Sequence, residues 1–253
     1  MSSMLGPSAV TRVGSLLLGA TVVFGGCGDP SRRALPVPFP LTYGGTPVPA
    51  RGAGISLEFG DGLRGQELER TELLGSGILV GAGDVFSMAL NGYEETRDLG
   101  LSGGAFRIKI RAGSPFGPYS SLGIHAATAW SNRTTSEQDE SVYVVDVAVP
   151  VEFRMSRETG ERNYFSVYAG PRAVFENYTD RRQPIESMKA LIAGAVGGMH
   201  LSVGVLQLFA EVTAAYIPTN VYQGRTFGGR MTLIPATGAV LHFGRPYNWG
   251  RQR

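Results

Sequence analysis

The sequence predicts an all-β chain whose strands close into an antiparallel, up-and-down β-barrel of about ten strands, with eight as the smaller alternative. Three observations carry this. From Arg51 onward no segment keeps a 3.6-residue apolar repeat over the length of a helix. The same stretch instead breaks into runs of alternating apolar and polar residues, separated by Gly, Asp, Asn and Pro. The connections also alternate in character. "GDGLRGQELER", "ETRD", "NRTTSEQDE", "TDRRQPIE" and "NVYQGRTFG" follow the odd runs, whereas "GD", "GSPFG", "SRETGER" and "GV" follow the even ones. Mostly long, polar connections at one rim and mostly short ones at the other are what an up-and-down barrel produces.

Taken in order, the first element is an export signal over residues 1–26. Arg12 precedes an apolar run from Val13 to Phe24, followed by small residues. That run is shorter than the roughly 20 residues a membrane-crossing helix needs. "VFGGC" ends at Cys27, the chain's only cysteine, so no disulfide can form within the chain. Residues 27–50 hold prolines and no periodicity, and read as an extended tether on the periplasmic side. The barrel is expected over 51–244 and a periplasmic tail over 245–253. Within the barrel, strands are expected near 51–59, 72–82, 85–94, 100–112, 119–131, 141–155, 163–177, 187–203, 206–217 and 229–243.

The faces of these strands follow from a period of two. In 142–155 the residues Tyr143, Val145, Val147, Val149, Val151, Phe153 and Met155 share one face, opposite Asp146, Ala148, Glu152 and Arg154. Phe106, Ile108 and Ile110 oppose Arg107, Lys109 and Arg111, and Leu208, Val212 and Tyr216 oppose Gln207, Glu211 and Thr213. From Ala190 to Val203 both phases are apolar, which predicts a bulge or phase change there. Pro150, Pro171 and Pro235 each remove a ladder donor and predict bulges or gaps in pairing.

Alternation alone fits a soluble barrel with its apolar face inward as well as a transmembrane barrel with that face in lipid. The export signal, the connections and a polar face rich in Gly, Ala and Ser favour the transmembrane form. Its lumen would then hold Glu58, Arg107, Lys109, Arg111, Asp146, Glu152, Arg154, Arg172, Glu176, Glu211 and Arg230. A ten-stranded barrel is little wider than the eight-stranded kind that side chains fill, so these charges are expected to pair and plug it.

Composition narrows the function classes. Of 253 residues 43% are hydrophobic and 17% charged, which argues against disorder, and a net charge of +2 without a Lys/Arg run predicts no nucleic-acid partner. "GLSGG" at 100–104 has the spacing of a nucleophile elbow around Ser102, but β-alternation follows it where that motif needs a helix. His125, His200 and His242 are the only histidines and lack metal-ligand spacing. No enzyme, metal or cofactor is expected.

"VFGGC" resembles the lipobox of bacterial lipoproteins, which implies acylation at Cys27. Residues 51–243 resemble, by architecture, the small porin-like outer-membrane β-barrels of Gram-negative bacteria. The last run, "RMTLIPATGAVLHF", resembles their C-terminal strand. The arginine-rich composition (21 of 23 basic residues, all but Lys109 and Lys189) with a lipobox is similar to porin-like barrels of myxobacterial motility machinery. These resemblances imply the cell outer membrane, with membrane lipid and other envelope proteins as partners. The expected function is a non-enzymatic barrel that anchors or forms part of an envelope-spanning complex, for example in motility or export. The alternatives are a narrow outer-membrane channel and a soluble or lipid-anchored, lipocalin-like ligand-binding barrel.

Overall fold

A computed structural model describes residues 36–37, 40–64, 69–96, 101–134, 139–155, 163–180, 188–217, 220–222, 225–227 and 229–245. Among the described residues every regular element is a strand: β1 (Pro36–Val37), β2 (Arg51–Arg64), β3 (Glu69–Ala82), β4 (Phe86–Glu95), β5 (Leu101–Gly113), β6 (Ser120–Thr134), β7 (Asp139–Ala148), β8 (Val151–Arg154), β9 (Asn163–Asp180), β10 (Met188–Val203), β11 (Leu206–Ile217), β12 (Asn220–Tyr222), β13 (Arg225–Phe227) and β14 (Arg230–Arg245). Ten positions make the barrel wall, with β7 and β8 sharing one of them. Each wall strand pairs antiparallel with its neighbour in sequence, and β14 returns to β2 to close the ring. β12 and β13 pair separately as a small hairpin.

Side-chain periodicity explains why these runs are strands and fixes which way each faces. On β2, Ile55, Leu57 and Phe59 are exposed while Ser56 and Glu58 are buried; on β11, Leu208, Val212 and Tyr216 are exposed while Gln207, Glu211 and Thr213 are buried. The barrel is apolar outside and polar inside, the inverse of a water-soluble core. β10 departs from its expected behaviour. It keeps one phase and an unbroken register with both neighbours, Ile192, Val196 and His200 facing in and Leu191, Met199 and Leu201 facing out. Its doubly apolar sequence arises because part of the lumen is itself apolar.

The prolines act by removing donors. Ala148 pairs with Arg172 and Val151 with Ala169, so register is preserved across the break between β7 and β8. Pro150 accepts a hydrogen bond from Gly123 N (2.9 Å) and Pro171 accepts one from Val149 N (3.0 Å), but neither can return it. The result is a gap in one continuous strand rather than a bulge. Actual register shifts occur elsewhere, at Tyr93/Glu94 between β4 and β5 and at Arg111/Gly113 between β5 and β6. The β14–β2 ladder stops at Ala236 and Gly60, beside Pro235, and further along β2 it is β1 that pairs with Leu63 and Arg64.

We take the Arg51 end of β2 as the lower rim and its Arg64 end as the upper. The upper rim carries connections 65–68, 96–100, 135–138, 181–187 and 218–229, and the lower rim 83–85, 114–119, 155–162 and 204–205. Two of the upper connections, 65–68 and 135–138, are much shorter than the polar runs in the sequence suggested. β2 and β3 continue to pair out to Arg64 and Glu69, so much of that polar sequence is ladder standing above the apolar band. The lower connection 155–162 is longer than most of the upper ones, so the two rims differ in polar strand ends more than in loop length.

Inside, the barrel is layered. Tyr93, Ala105, Ala129, Val142, Val144, Val174, Ile192, Ala215 and Ile234 form an apolar cluster in the upper half. Below it lie the charged residues and, among them, residues 40–50, all buried. The segment read from sequence as a periplasmic tether thus has its second half inside the barrel. Its prolines suggested an extended chain, but residues 44–46 and 48–50 turn and bend, and the wall supplies the hydrogen bonds that the tether reading left to water.

Candidate functional site

The site is the lower lumen, where wall side chains grip residues 40–50. This segment has no strand of its own there, so its backbone groups need partners. Two buried glutamates, Glu211 and Glu152, take three of its backbone N–H groups, and a third, Glu58, takes the Tyr43 hydroxyl. Glu211 on β11 accepts from Thr42 N (3.0 Å), Thr42 Oγ1 (2.6 Å) and Tyr168 OH (3.0 Å). Glu58 on β2 accepts from the Tyr43 hydroxyl, Asn91 Nδ2 (2.8 Å) and Tyr93 OH (3.0 Å). Glu152 on β8 accepts from Gly45 N (2.8 Å), Thr46 N (2.9 Å), Thr46 Oγ1 (3.0 Å), Ser166 Oγ (2.5 Å) and His200 Nδ1 (3.1 Å).

Two arginines complete the grip. Arg107 on β5 donates from Nη1 to Leu41 O (2.9 Å) and from Nη2 to Glu58 Oε1 (2.5 Å) and Asn91 Oδ1 (2.5 Å). Arg172 on β9 donates from Nη2 to Pro40 O (2.8 Å) and Asp146 Oδ2 (2.7 Å), from Nε to Asp146 Oδ1 (3.1 Å), and from Nη1 to Glu211 Oε1 (3.1 Å) and Thr213 Oγ1 (2.8 Å). Arg172 clasps Asp146 with its Nε and Nη2 donors, a fork that a lysine could not reproduce, and Arg107 spreads its two Nη groups over Leu41 O, Glu58 and Asn91. Arg107 also stacks over the Tyr43 ring at 4.6 Å.

Apolar packing fills the rest. Leu41, Tyr43 and Val48 join Leu79, Ala89, Phe209 and Val240 of the wall in one cluster, with the Tyr43 and Phe209 rings 4.8 Å apart, edge to face. The segment turns at Tyr43 and Gly44, both with positive φ (54° and 72°). Wall glycines make room for it. A Cβ on Gly123 would lie 2.9 Å from Gly45 O, and one on Gly81 would overlap Pro49 O. Two small cavities adjoin the lumen residues, about 20 Å³ beside Thr42, Tyr43 and Val48 and about 10 Å³ beside Leu41 and Glu58, room for about one water each.

Of the charged residues expected in the lumen, the structure joins Glu58 with Arg107, and Asp146 with Arg172 and Glu211. Lys109 is buried beside the larger cavity, its Nζ 5.9 Å from the Tyr43 ring centre and without a hydrogen-bond partner among the described residues. Arg111 and Arg154 are half-buried near the lower rim, Arg111 donating to Ser114 Oγ and Arg154 lying 5.4 Å from the centre of the Tyr164 ring. Glu176 is buried at the level of the apolar layer, and neither carboxylate oxygen has a hydrogen-bond partner among the described residues. The side chain of Arg230, and Cys27 altogether, lie outside the described residues.

The three histidines are all buried. His200 lies on Glu152, and His125 Nε2 is 3.5 Å from Asp146. No group of three potential metal ligands occurs among the described residues. Sequence reasoning missed the gripped segment itself, and with it Asn91, Tyr93, Ser166 and Tyr168 as its companions. The available signal was quantitative: a lumen of this width needs more volume than small inward residues provide.

The fold and site together define a closed ten-strand β-barrel plugged by its own N-terminal segment. No family model and no curated protein matches the chain.

Proposed function

We propose that the protein is a non-enzymatic integral outer-membrane β-barrel, closed by its N-terminal segment, which serves as an anchor within an envelope-spanning protein assembly. The observation that carries the reading is the outer surface. Tyr143 and Phe153 on one strand position, and Phe165 and Phe175 on β9, are exposed aromatics ten residues apart, with aliphatic residues such as Val147 between them. At roughly 3.3 Å per residue and about 40° of tilt, ten residues rise about 25 Å, the height of the apolar band that aromatic girdles flank in outer-membrane barrels. Trp130 and Tyr216 extend the upper girdle, and Phe243 the lower.

The outward-facing apolar side chains, such as Leu57, Leu191, Leu208 and Leu233, weigh against the soluble lipocalin-like alternative, whose outer face must meet water. The gripped segment weighs against the channel, since residues 40–50 are all buried within the lumen and bonded to side chains of several wall strands. A plugged barrel offers its rims and its lipid face instead, which suits an anchor. The partners proposed are membrane lipid and other envelope proteins, in a motility or export assembly.

The test is fractionation followed by gel migration with and without boiling. The membrane reading expects the protein in carbonate-washed outer membranes, extracted only by detergent, and migrating differently before and after heating. Release by carbonate alone would overturn it. Purification of the detergent-extracted protein with stable envelope partners then tests the anchor role.

A further inference from the structure

We propose that the N-terminal segment threads the barrel from rim to rim, so that residues preceding Pro36 leave it at the upper rim, opposite the C-terminal end of β14. β1 pairs with Leu63 and Arg64, at the upper end of β2, and lies antiparallel to it, heading downward. The contacts that follow descend in order. Pro40 O and Leu41 O meet Arg172 and Arg107 at mid-height, Gly45 and Thr46 meet Glu152 near the lower end of β8, and Val48 N donates to Ser87 Oγ (3.3 Å) at the lower end of β4. Arg51 then starts β2 at the lower rim, where it pairs with Arg245. Among the described residues the chain passes through the lumen once, from β1 at the upper end of β2 to Arg51 at its lower end. The two ends of the wall sequence share a rim, but the leading segment does not start from it.

This has a consequence for Cys27. It precedes Pro36 by nine positions. Fully extended, that length of chain reaches about 30 Å. From the upper rim an acyl chain on Cys27 can enter the leaflet at that rim. Reaching the opposite headgroups would drag unpaired backbone through hydrocarbon, which lipid does not tolerate. Which side of the cell the upper rim faces rests on the membrane reading above; the threading does not.

Two measurements test it. In a Cys27→Ser background, Ala34→Cys, Ser136→Cys in the upper connection 135–138, and Pro115→Cys in the lower connection 114–119 are probed on cells with a membrane-impermeant maleimide. Threading expects Ala34→Cys to label under the same conditions as Ser136→Cys; labelling that follows Pro115→Cys overturns it. If Ser136→Cys needs permeabilisation and Pro115→Cys does not, only the assumed orientation fails. The second measurement needs no membrane. Val37 and Leu63 are paired across β1 and β2. Val37→Cys/Leu63→Cys is expected to close a disulfide on oxidation of the folded, purified protein, because paired strand positions fall within disulfide reach. A folded, heat-modifiable double variant that stays reduced overturns the threading.

Discussion

Glu152 shows how single residues hold the plug. Five donors converge on one buried carboxylate, three of them from Gly45 and Thr46 and two from wall residues. Deleting the acceptor and deleting one donor are therefore unequal. Glu152→Ala leaves every donor buried and unpaired and is expected to cost on the order of 3–5 kcal/mol. Ser166→Ala removes one donor of five and is expected to cost about 1 kcal/mol. Urea titration in detergent, read by the folded and unfolded gel bands, checks the ratio, and equal losses would mean that Glu152 is not the hub. Glu152 was legible in the sequence as an inward charge because it is out of phase with Val151 and Phe153. That it gathers backbone N–H groups of residues 45 and 46 was not, since alternation reports a face and not a partner.

Each strand carries two solvents' worth of information, and Val147 separates two readings of it. It is 41% exposed and sits midway between the girdle residues Tyr143 and Phe153. On a water-facing strand Val147→Arg would change stability within about 0.5 kcal/mol. At the midplane of a bilayer it is expected to cost about 2–4 kcal/mol. Folding titrations into lipid vesicles decide between the two. The strands were legible because this alternation is local; their upper ends were less so. The expected run 51–59 continues to Arg64, and that expected at 163–177 continues to Asp180. Backbone pairing persists beyond the apolar band, and residues there, outside that band, need not alternate. Pro150 and Pro171 were correctly read as sites of lost pairing. Only their juxtaposition on neighbouring strands shows that the losses coincide while register is kept.

Taken entire, the barrel closes around part of its own chain. Removal of residues 36–50 should leave a wall whose strands still pair, because none of the ten wall positions belongs to that segment. The Glu58, Glu152, Glu211, Arg107 and Arg172 groups would then face water. The expected outcome is discrete openings in planar bilayers from the deletion variant and silence from the intact protein. An intact protein that conducts would favour the channel reading. The three glutamates bind a segment more than a hundred residues away from two of them, so the plug's energy is almost wholly non-local.

The wall was readable from residue order: strand number, phase, polarity of each face, and the inward placement of most charged residues. A period of two is written within each run, and every strand repeats it against the same two environments. What fills the lumen, and from which rim the chain enters it, became visible only once the strands were assembled. Residues 40–50 carry no periodic signal, since their conformation is set by the surrounding side chains rather than by a ladder of their own. A proline-rich segment reads alike in water and in a barrel until Glu58, Glu152 and Glu211 are brought around it.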